Sequence, residues 1–290
     1  MRFFSSPVAL LLLFLSAATA AGEVVYYPVE AGRRIEGEIP LQVLKLALQK
    51  HGGDWDLQPS PLGPMNEQRS KILLSHGQGL DIAWYGTYPE LEKQLMPVRI
   101  PINGGLLGWR LFLIDGRRQA EFSRIENQED LTRLNLVQGQ GWGDIKVLED
   151  AGFPVTAAEY HLLFGLVTAG RADAFPRGVD EIYVEHAQWS EHLPNLAIEQ
   201  SLAIYYPWMK LFFVQNGNHA LHDAIFDGLQ KAHADGSYQE LFFSHPSNRK
   251  TLDLGRLHER RLFHLDNAHM TDETRNIDPK FFFKADKNRF

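Results

Sequence analysis

Short apolar blocks separated by polar, glycine-bearing stretches predict alternating strands and helices along the first third of the chain. Residues 23–27 form a β-rich apolar run that ends at Pro28 and predicts a strand. From Pro40 apolar residues recur at helical spacing up to Gly52–Gly53, which predicts a helix. The pattern then predicts a strand at 55–62, a helix at 66–76 with Ile72 and Leu73 facing inward, and a strand at 80–84. This alternation is typical of a doubly wound, parallel α/β sheet.

The carboxyl ends of these strands are the expected place for a ligand. Ligands of open α/β sheets bind outside the carboxyl ends of the strands, where the loops leave a crevice. The first and third strands end at Tyr27, Trp84 and Tyr85, and Thr87 follows the third strand. We therefore expect these four residues to face a bound ligand.

A second series of the same kind occupies the middle of the chain. It follows a short helix at 89–95, extended segments at 98–102 and 106–114, and a polar stretch at 115–119 that is a hairpin or a linker tip. The pattern predicts a helical turn at 129–133, a strand at 134–137, helices at 144–152 and 157–169, a strand at 171–175, a loop at 176–178 and a helix at 179–188. Strands at 196–206 and 209–214 and helices at 218–234 and 238–243 complete it.

The loop from Gln138 to Gly143 is the most informative stretch of this second series. A strand that runs through glycines into a helix start leaves backbone N–H groups free to bind an anion or a carbonyl oxygen. Trp142 supplies an apolar wall beside them, and Gln138 and Gln140 offer polar side chains. The alternative is a plain strand-to-helix turn in which the glycines serve only the backbone geometry.

The first twenty residues have the pattern of a secretory signal peptide. Arg2 precedes the apolar segment 8–15, and Ala18-Thr19-Ala20 supplies the small residues that a signal peptidase requires. The apolar segment is shorter than the roughly 20 residues that span a bilayer. We expect cleavage after Ala20, which leaves 290 minus 20, or 270 residues, in the bacterial periplasm.

Composition excludes several classes of protein. The net charge of −7 becomes −8 without Arg2, and no basic run stands out, so a nucleic-acid partner is not expected. The chain contains no cysteine, so it has neither a disulfide framework nor a lipid-modified cysteine. With 44% hydrophobic residues at this length, two lobes are more plausible than one core. The histidines do not form a metal pattern, and we expect no metal and no cofactor.

The order of these pieces resembles a known family. The segments that carry the resemblance are Leu80-Asp81-Ile82-Ala83, Gly170-Arg171-Ala172-Asp173-Ala174 and Asp235-Gly236-Ser237-Tyr238. Together with the signal peptide and the glycine loop, they resemble the bacterial extracellular solute-binding proteins of family 3, which have the type II periplasmic binding protein fold. The resemblance covers roughly residues 24–243. It implies two α/β lobes joined by two crossing strands, with a solute trapped between them.

The resemblance also implies domain boundaries and shows two departures. Lobe 1 is expected at 22–112 plus 208–246, lobe 2 at 113–207, and a C-terminal extension packed on a lobe at 247–290. Amino-acid binders of the family hold the α-carboxylate with an arginine after a Thr-x-x-Glu segment, where this chain has Leu91. They hold the α-ammonium with an acid shortly after the segment that corresponds to 170–174, where this chain has Arg177. The chain therefore resembles a subgroup that lacks the usual Arg/Asp pair, with Gly-Leu-Leu-Gly-Trp-Arg, Gln-Gly-Gln-Gly-Trp, Asp-Ala-Phe-Pro-Arg and a late Leu-Asp-Asn.

Two arginines and two tryptophans are the main side-chain candidates for ligand contact. Arg177 can bind a carboxylate or phosphate with two parallel hydrogen bonds, and the alternative is an ion pair with Asp180 or Glu181. Arg110 lies where the chain leaves the first lobe and can contact either the ligand or the hinge. Trp84 and Trp142 can stack on a planar or sugar-like solute, or they are plain core residues.

The expected function is therefore non-catalytic binding of a small polar solute. An anionic solute fits this expectation, because Arg177 can bind an anion. A monomer would present this solute to an inner-membrane ABC importer, or dock in its closed form on a membrane-bound sensor. One alternative is an enzyme, since some members of this fold are dehydratases acting on cyclohexadienyl acids. That chemistry needs a general acid, and Glu30 is the one acid placed near a predicted strand end of lobe 1. Nothing near Glu30 supports a catalytic pair. The other alternative is an interaction protein that binds no solute.

Overall fold

The computed structural model describes residues 22–29, 38–246, 248–249, 251 and 256–282. The expected signal peptide and Glu30 lie outside these residues. The strands are β1 (Glu23–Tyr27), β2 (Trp55–Pro59), β3 (Ile82–Gly86), β4 (Leu95–Val98), β5 (Trp109–Asp115), β6 (Leu136–Gly139), β7 (Val155–Ala158), β8 (Ala174–Gly178), β9 (Leu196–Ile198), β10 (Leu202–Tyr205), β11 (Lys210–Gln215) and β12 (Arg261–His264). The α-helices are α1 (Ile39–His51), α2 (Glu67–Ser75), α3 (Pro89–Gln94), α4 (Gln119–Phe122), α5 (Gln128–Leu131), α6 (Ile145–Asp150), α7 (Tyr160–Thr168), α8 (Ile182–Trp189), α9 (His219–Ala234), α10 (Ser237–Ser244) and α11 (Asp272–Arg275).

The first lobe is built from β1 to β4 together with β11. β1 pairs in parallel with β2, and β11 lies antiparallel between β3 and β4. Asp81 links the two groups, because its carboxylate accepts the backbone N–H of Tyr26 at 2.8 Å and its own N–H donates to the Tyr26 carbonyl at 2.9 Å. Helices α1 and α9 pack closely against each other over this sheet. The late strand β11 therefore returns the chain to the first lobe.

The second lobe contains one larger sheet with the strand order β12-β10-β5-β8-β6-β7, and β9 also pairs with β5. The central strands β6 and β8 are buried along their whole length, because helices and loops cover both faces. Asp173 ties two of them together: its carboxylate accepts the backbone N–H of Asn135 at 2.7 Å and the guanidinium of Arg118 at 2.6 Å. This explains why an acid precedes β8.

Several element predictions from the sequence are wrong. The expected strand 196–206 is divided into β9 and β10, which both pair with β5. The expected loop 176–178 is part of β8, because antiparallel pairing with β5 continues to the pair Arg110 and Gly178. The expected helix 157–169 begins only at Tyr160, since β7 pairs with β6 before it. Ile72 is 56% exposed, because α2 turns Ser70 and Leu74 toward the sheet instead.

The C-terminal extension contributes both to a sheet and to an aromatic cluster. β12 pairs in parallel with β10 at the edge of the larger sheet. Farther along, the Phe281 ring lies 4.9 Å from the His233 ring, which stacks on Tyr238 at 4.0 Å. Burial, together with the nearby charge of Lys280, lowers the pKa of His233 to about 4. In the described part of the chain, no helix has the length and apolar character needed to cross a membrane.

The contact of α1 with α9 gives a test of the first lobe. Gly228 in α9 faces the backbone of Ala47 in α1 so closely that a Cβ would overlap the Ala47 carbonyl. We expect Gly228→Ala to lower the free energy of unfolding by about 1–3 kcal/mol, because the helices must separate.

The matched control is Gly165→Ala in α7, where nothing lies within 4 Å of the added Cβ. This change should raise the free energy of unfolding by about 0.5–1 kcal/mol, since alanine loses less backbone entropy in a helix. Urea unfolding measures both variants. Equal effects would contradict the close helix packing.

The buried His233 predicts a pH dependence of stability. Its folded pKa of about 4 lies below the ordinary 6.5, so the folded state binds fewer protons between these values. The stabilisation is complete above pH 6.5 and is lost as the pH falls toward 4. Because the ring is partly exposed, we expect the free energy of unfolding to fall by about 1–2 kcal/mol as the pH falls from 6.5 to 4.

Urea unfolding at a series of pH values between 4 and 7 measures this loss. His233→Gln should flatten the pH slope relative to the unmodified chain. His219→Gln, at an exposed position at the start of the same helix, should leave it unchanged. Identical slopes in all three proteins would show that His233 is not the titrating group.

Candidate functional site

Two arginines are buried where the strands of the second lobe face the first lobe. Arg110 lies on β5 and Arg177 on the neighbouring β8, one residue before the partner of Arg110 in the strand register. They are 1% and 5% exposed, respectively. A guanidinium cannot lose its charge at neutral pH, so each must find its counter-charges inside the protein.

Arg110 is neutralised by Asp144, the residue that precedes α6 and follows the glycine loop. The Arg110 guanidinium forms an ion pair with the Asp144 carboxylate, and its Nε donates to the Tyr206 hydroxyl at 2.8 Å. Tyr206 Oη and Gln138 Nε2 donate to the same Asp144 oxygen, at 2.9 and 2.8 Å. Burial, outweighing the nearby Arg110, raises the pKa of Tyr206 well above its usual value, so the hydroxyl keeps its proton and acts as a donor. The acid of the glycine loop is therefore the centre of this network.

Arg177 is held by two glutamates at the start of α8. Its Nε and Nη2 donate to the two oxygens of Glu185 at 2.6 and 2.7 Å, and Nη2 lies 2.9 Å from Glu181 Oε2. Trp142 covers the guanidinium, with its ring centre 4.6 Å from the central carbon. Burial opposes the charge, but Glu181 and Glu185 outweigh it and raise the pKa of Arg177 well above its usual value. The ion pair considered as the alternative for Arg177 is thus present, with Glu185 added.

The first lobe completes the network. Lys210 on β11 donates to Glu181 at 2.6 Å, and Asn103 donates to Asp180 at 2.6 Å. Burial opposes the ionisation of Glu181, yet the surrounding cations lower its pKa well below the usual range. Burial, and after it the charge of Glu181, raises the pKa of Asp180. Charged groups of both lobes therefore meet in one buried cluster.

The lobes also touch at the edge of this cluster. Lys146 Nζ at the start of α6 lies 3.0 Å from Glu90 Oε1 in α3. Gly143 faces Tyr88 so closely that a Cβ there would lie 2.5 Å from the Tyr88 ring. The glycine loop thus permits close approach to the other lobe, and the lobes are closed on each other.

Trp208 lines the first-lobe side of the site. Its indole N–H donates to the Thr87 carbonyl at 2.8 Å, and its ring centre lies 5.0 Å from the Arg110 guanidinium carbon. The ring also lies directly over Gly86, where any Cβ would overlap it. Trp208 was not identified from the sequence, although its place beside Pro207, at the interruption between two strands, was a signal.

The remaining residues expected at the site make their described side-chain contacts elsewhere, although the Thr87 carbonyl accepts the Trp208 indole at the site. Tyr85 shares a hydrogen bond of 2.7 Å with Ser70, and burial raises the pKa of Tyr85. The Thr87 hydroxyl donates to Glu92 at 2.5 Å. Trp84 packs edge-on against Phe212, Tyr27 is buried at the end of β1, and Gln140 is exposed. Of the eight expected residues, the structure groups Arg110, Trp142 and Arg177 in one cluster.

Several members of the cluster were missed from the sequence. They are Asn103, Asp144, Glu185, Tyr206 and Lys210. The sequence position of Asp144 could have indicated its role, because an acid directly after a glycine loop lies beside the groups that the loop faces. Nothing local distinguishes Lys210 or Glu185 from surface residues of an amphipathic strand or helix.

The cluster has unused hydrogen-bonding capacity. Among the described residues, six of its buried polar atoms have no hydrogen-bond partner in the protein: Arg110 Nη1, Asn103 Oδ1, Gln138 Oε1, Asp144 Oδ1, Asp180 Oδ1 and Glu181 Oε2. Of these, Glu181 Oε2 lies in the ion pair with Arg177. A buried polar atom without a partner costs about 1–3 kcal/mol, so such atoms usually bind water or a ligand. No group of three or more metal-binding side chains occurs in the described ranges.

Comparison with known proteins identifies the fold. No protein-family model matches the chain, and no curated protein matches it. Solved structures do match. An ancestral arginine-binding protein bound to arginine is 17% identical, with a TM-score of 0.57 over 77% of this chain and 98% of that chain.

Two further structures have similar scores. The amino acid ABC transporter substrate-binding protein AbpA from Streptococcus pneumoniae, bound to L-arginine, is 14% identical, with a TM-score of 0.54 over 79% of this chain and 95% of that one. A histidine kinase sensor domain with similarity to periplasmic binding proteins is 13% identical, with a TM-score of 0.56 over 78% and 96%. The two-lobed α/β fold of periplasmic binding proteins, expected from the sequence, is confirmed.

The ion pairs of Arg177 give a test of the cluster. We expect Arg177→Met to lower the free energy of unfolding by about 3–5 kcal/mol, because Glu185 is left buried without its counter-charge and Glu181 loses one of the cations beside it. The control, Arg133→Met, breaks an exposed pair with Glu129 and should cost less than about 1 kcal/mol. Chemical denaturation measures both. A small effect at Arg177 would contradict its role as the counter-charge.

Proposed function

We propose that the chain is a solute-binding protein that holds a small polar molecule between its two lobes. The observation that carries the proposal is the set of buried polar atoms without partners, five of them on the second lobe and one, Asn103 Oδ1, on the first. One of them belongs to Gln138, near the carboxyl end of β6. A folded protein rarely leaves such atoms unsatisfied, and a polar guest supplies the missing partners. The strand ends are also where ligands of α/β sheets bind.

The unsatisfied atoms favour a guest that carries hydrogen-bond donors. Five of the six are acceptor oxygens, and one, Arg110 Nη1, is a donor. Arg177 is already held by Glu185 through two hydrogen bonds, so an anion would have to displace that glutamate. We therefore propose a solute rich in amine, amide or hydroxyl groups, in place of the anion with which Arg177 is compatible.

The proposed partner is a membrane protein that recognises the closed form. An inner-membrane ABC importer or a membrane-bound sensor both fit, because each reads the closure of the lobes around the solute. Similar structures are described as an ABC transporter substrate-binding protein and as a histidine kinase sensor domain, which supports both. The proposal places the mature chain in the periplasm as a monomer.

Native mass spectrometry of the protein purified without denaturation tests the binding proposal. We expect an added mass from a retained small molecule, which disappears under denaturing conditions. Gln138→Leu should weaken retention about tenfold, because one or two hydrogen bonds near the guest are lost.

The control is Gln140→Leu in the same loop, where the side chain is exposed. It should leave retention unchanged. If no small molecule is retained by the unmodified protein or taken up from a solute library, the protein does not bind a solute in this way. Equal losses in the two variants would contradict the placement of the guest beside Gln138.

A second candidate function rests on Asp180. Its buried carboxyl has a raised pKa and an oxygen without a partner, which are properties of a general acid. A dehydratase acting on a cyclohexadienyl acid would use such a group to protonate a leaving hydroxyl. Incubation of the protein with prephenate tests this. Turnover that is lost in Asp180→Asn would favour the enzyme over the binding protein.

A further inference from the structure

Residues 261–282, which we call the strap, contact both lobes. It begins as β12 on the edge of the second lobe, passes the connection between β10 and β11, and ends against the first lobe. Its contacts with the two lobes do not depend on the identity of any solute.

The strap is attached to the second lobe by backbone pairing. Arg261 N–H donates to the Ser201 carbonyl at 2.7 Å, and Leu265 N–H donates to the Tyr205 carbonyl at 2.8 Å, at the two ends of the pairing between β12 and β10. Leu265 is buried in the core of this lobe. Backbone hydrogen bonds together with apolar burial make this end part of the sheet.

The middle of the strap crosses the connection between the lobes. Asn267 Nδ2 donates to the carbonyl of Pro207 at 2.7 Å, and Pro207 lies between β10 of one lobe and β11 of the other. His269 Nε2 lies 2.6 Å from Asp150 Oδ2 at the end of α6. The strap therefore follows the hinge strands across the molecule.

One carboxylate of the first lobe anchors the far side of the strap. Thr271 Oγ1 and Thr274 Oγ1 each donate to Glu92 in α3, both at 2.7 Å. The Glu92 side chain is 2% exposed and also accepts the Thr87 hydroxyl at 2.5 Å and the Arg99 guanidinium at 2.9 Å. Hydrogen bonds to a buried carboxylate are stronger than those between neutral groups. The same group thus holds the strap and the loop after β3.

A second attachment lies farther along the first lobe. Phe281 packs edge-on against His233, and Phe282 covers Gly105 so closely that a Cβ there would lie 2.8 Å from its ring. Phe281 and Ile277 are buried in the larger hydrophobic core. Separation of the lobes would have to break either these contacts or the pairing of β12.

We propose that the strap is an interlobe lock that holds the two lobes in the closed arrangement. Glu92 is its anchor, and it joins the lock to Thr87, whose carbonyl accepts the Trp208 indole at the cleft. Opening of the lobes is therefore coupled to release of Thr271 and Thr274 from Glu92.

The absence of cysteine from the sequence allows a direct measurement of the lobe separation. Ile72→Cys on α2 and Leu162→Cys on α7 place one label on each lobe at positions that are 56% and 49% exposed. Spin labels at these positions report the interlobe distance by pulsed dipolar spectroscopy. The double substitution Thr271→Val with Thr274→Val detaches the strap from Glu92, because it removes the two hydroxyls and keeps the side-chain volume.

The labelled protein should show one narrow distance, and the double valine variant should add a second, longer distance. Two controls should keep the single distance. The double serine variant, Thr271→Ser with Thr274→Ser, retains both hydroxyls, and Thr168→Val removes a hydroxyl whose described hydrogen bonds lie within α7. Glu92→Gln, in which one acceptor becomes a donor, should also give the longer distance and serves if the valine variant does not fold.

Hydrogen exchange of residues 266–277 shows whether the strap is released. Faster exchange there with an unchanged interlobe distance would overturn the proposal, because the lobes would stay closed without the strap. Unchanged exchange in both the valine and the Glu92→Gln variants would also overturn it, because Glu92 would not be the anchor. Faster exchange together with a longer distance supports the lock.

Discussion

The closed structure depends on the neutralisation of two arginines that are buried between the lobes. Arg110 and Arg177 cannot be desolvated without acids beside them, since an unpaired buried charge costs several kcal/mol. Asp144 and Glu185 meet this need from two different helices. The positions of α6 and α8 relative to the sheet are therefore set by charge pairing as well as by apolar packing.

The same pairing occupies the space between the lobes with the protein's own side chains. The fold is shared with proteins described as arginine-binding, but fold does not determine what a site binds. Here the cleft is filled by its own ion pairs, by Trp142 over one arginine and by Trp208 over the other. What is left for a guest is a small set of unsatisfied oxygens and one guanidinium nitrogen.

Closure is built from several independent contacts. Lys210 and Asn103 of the first lobe bind acids of the second lobe in the centre, and Gly143 admits Tyr88 at the edge. The C-terminal segment adds a third connection through β12 and Glu92. Each of these contacts joins residues that are close in space but far apart in the sequence. All of them therefore form only when the two lobes have folded.

The sequence determined the local elements and through them the class of fold. Period-two and helical patterns, with glycines at helix ends, depend on a few neighbouring residues, and they predicted the alternating strands and helices. The glycine loop after β6 was correctly placed before a helix. These features can be predicted from the sequence because the residues that cause them lie close together along the chain.

Tertiary structure alone decided the partners of the arginines, the true extent of β8 and the path of the extension. Arg110 and Asp144 are far apart in sequence, and a local pattern cannot show that Arg177 will pair with Glu185 as well as with the nearer Glu181. β8 extends through Pro176 because β5 pairs with it. Ile72 is exposed because the position of α2 on its sheet selects Ser70 and Leu74. Such choices depend on which distant groups compete for the same buried space and charge, and that competition exists only in the folded chain.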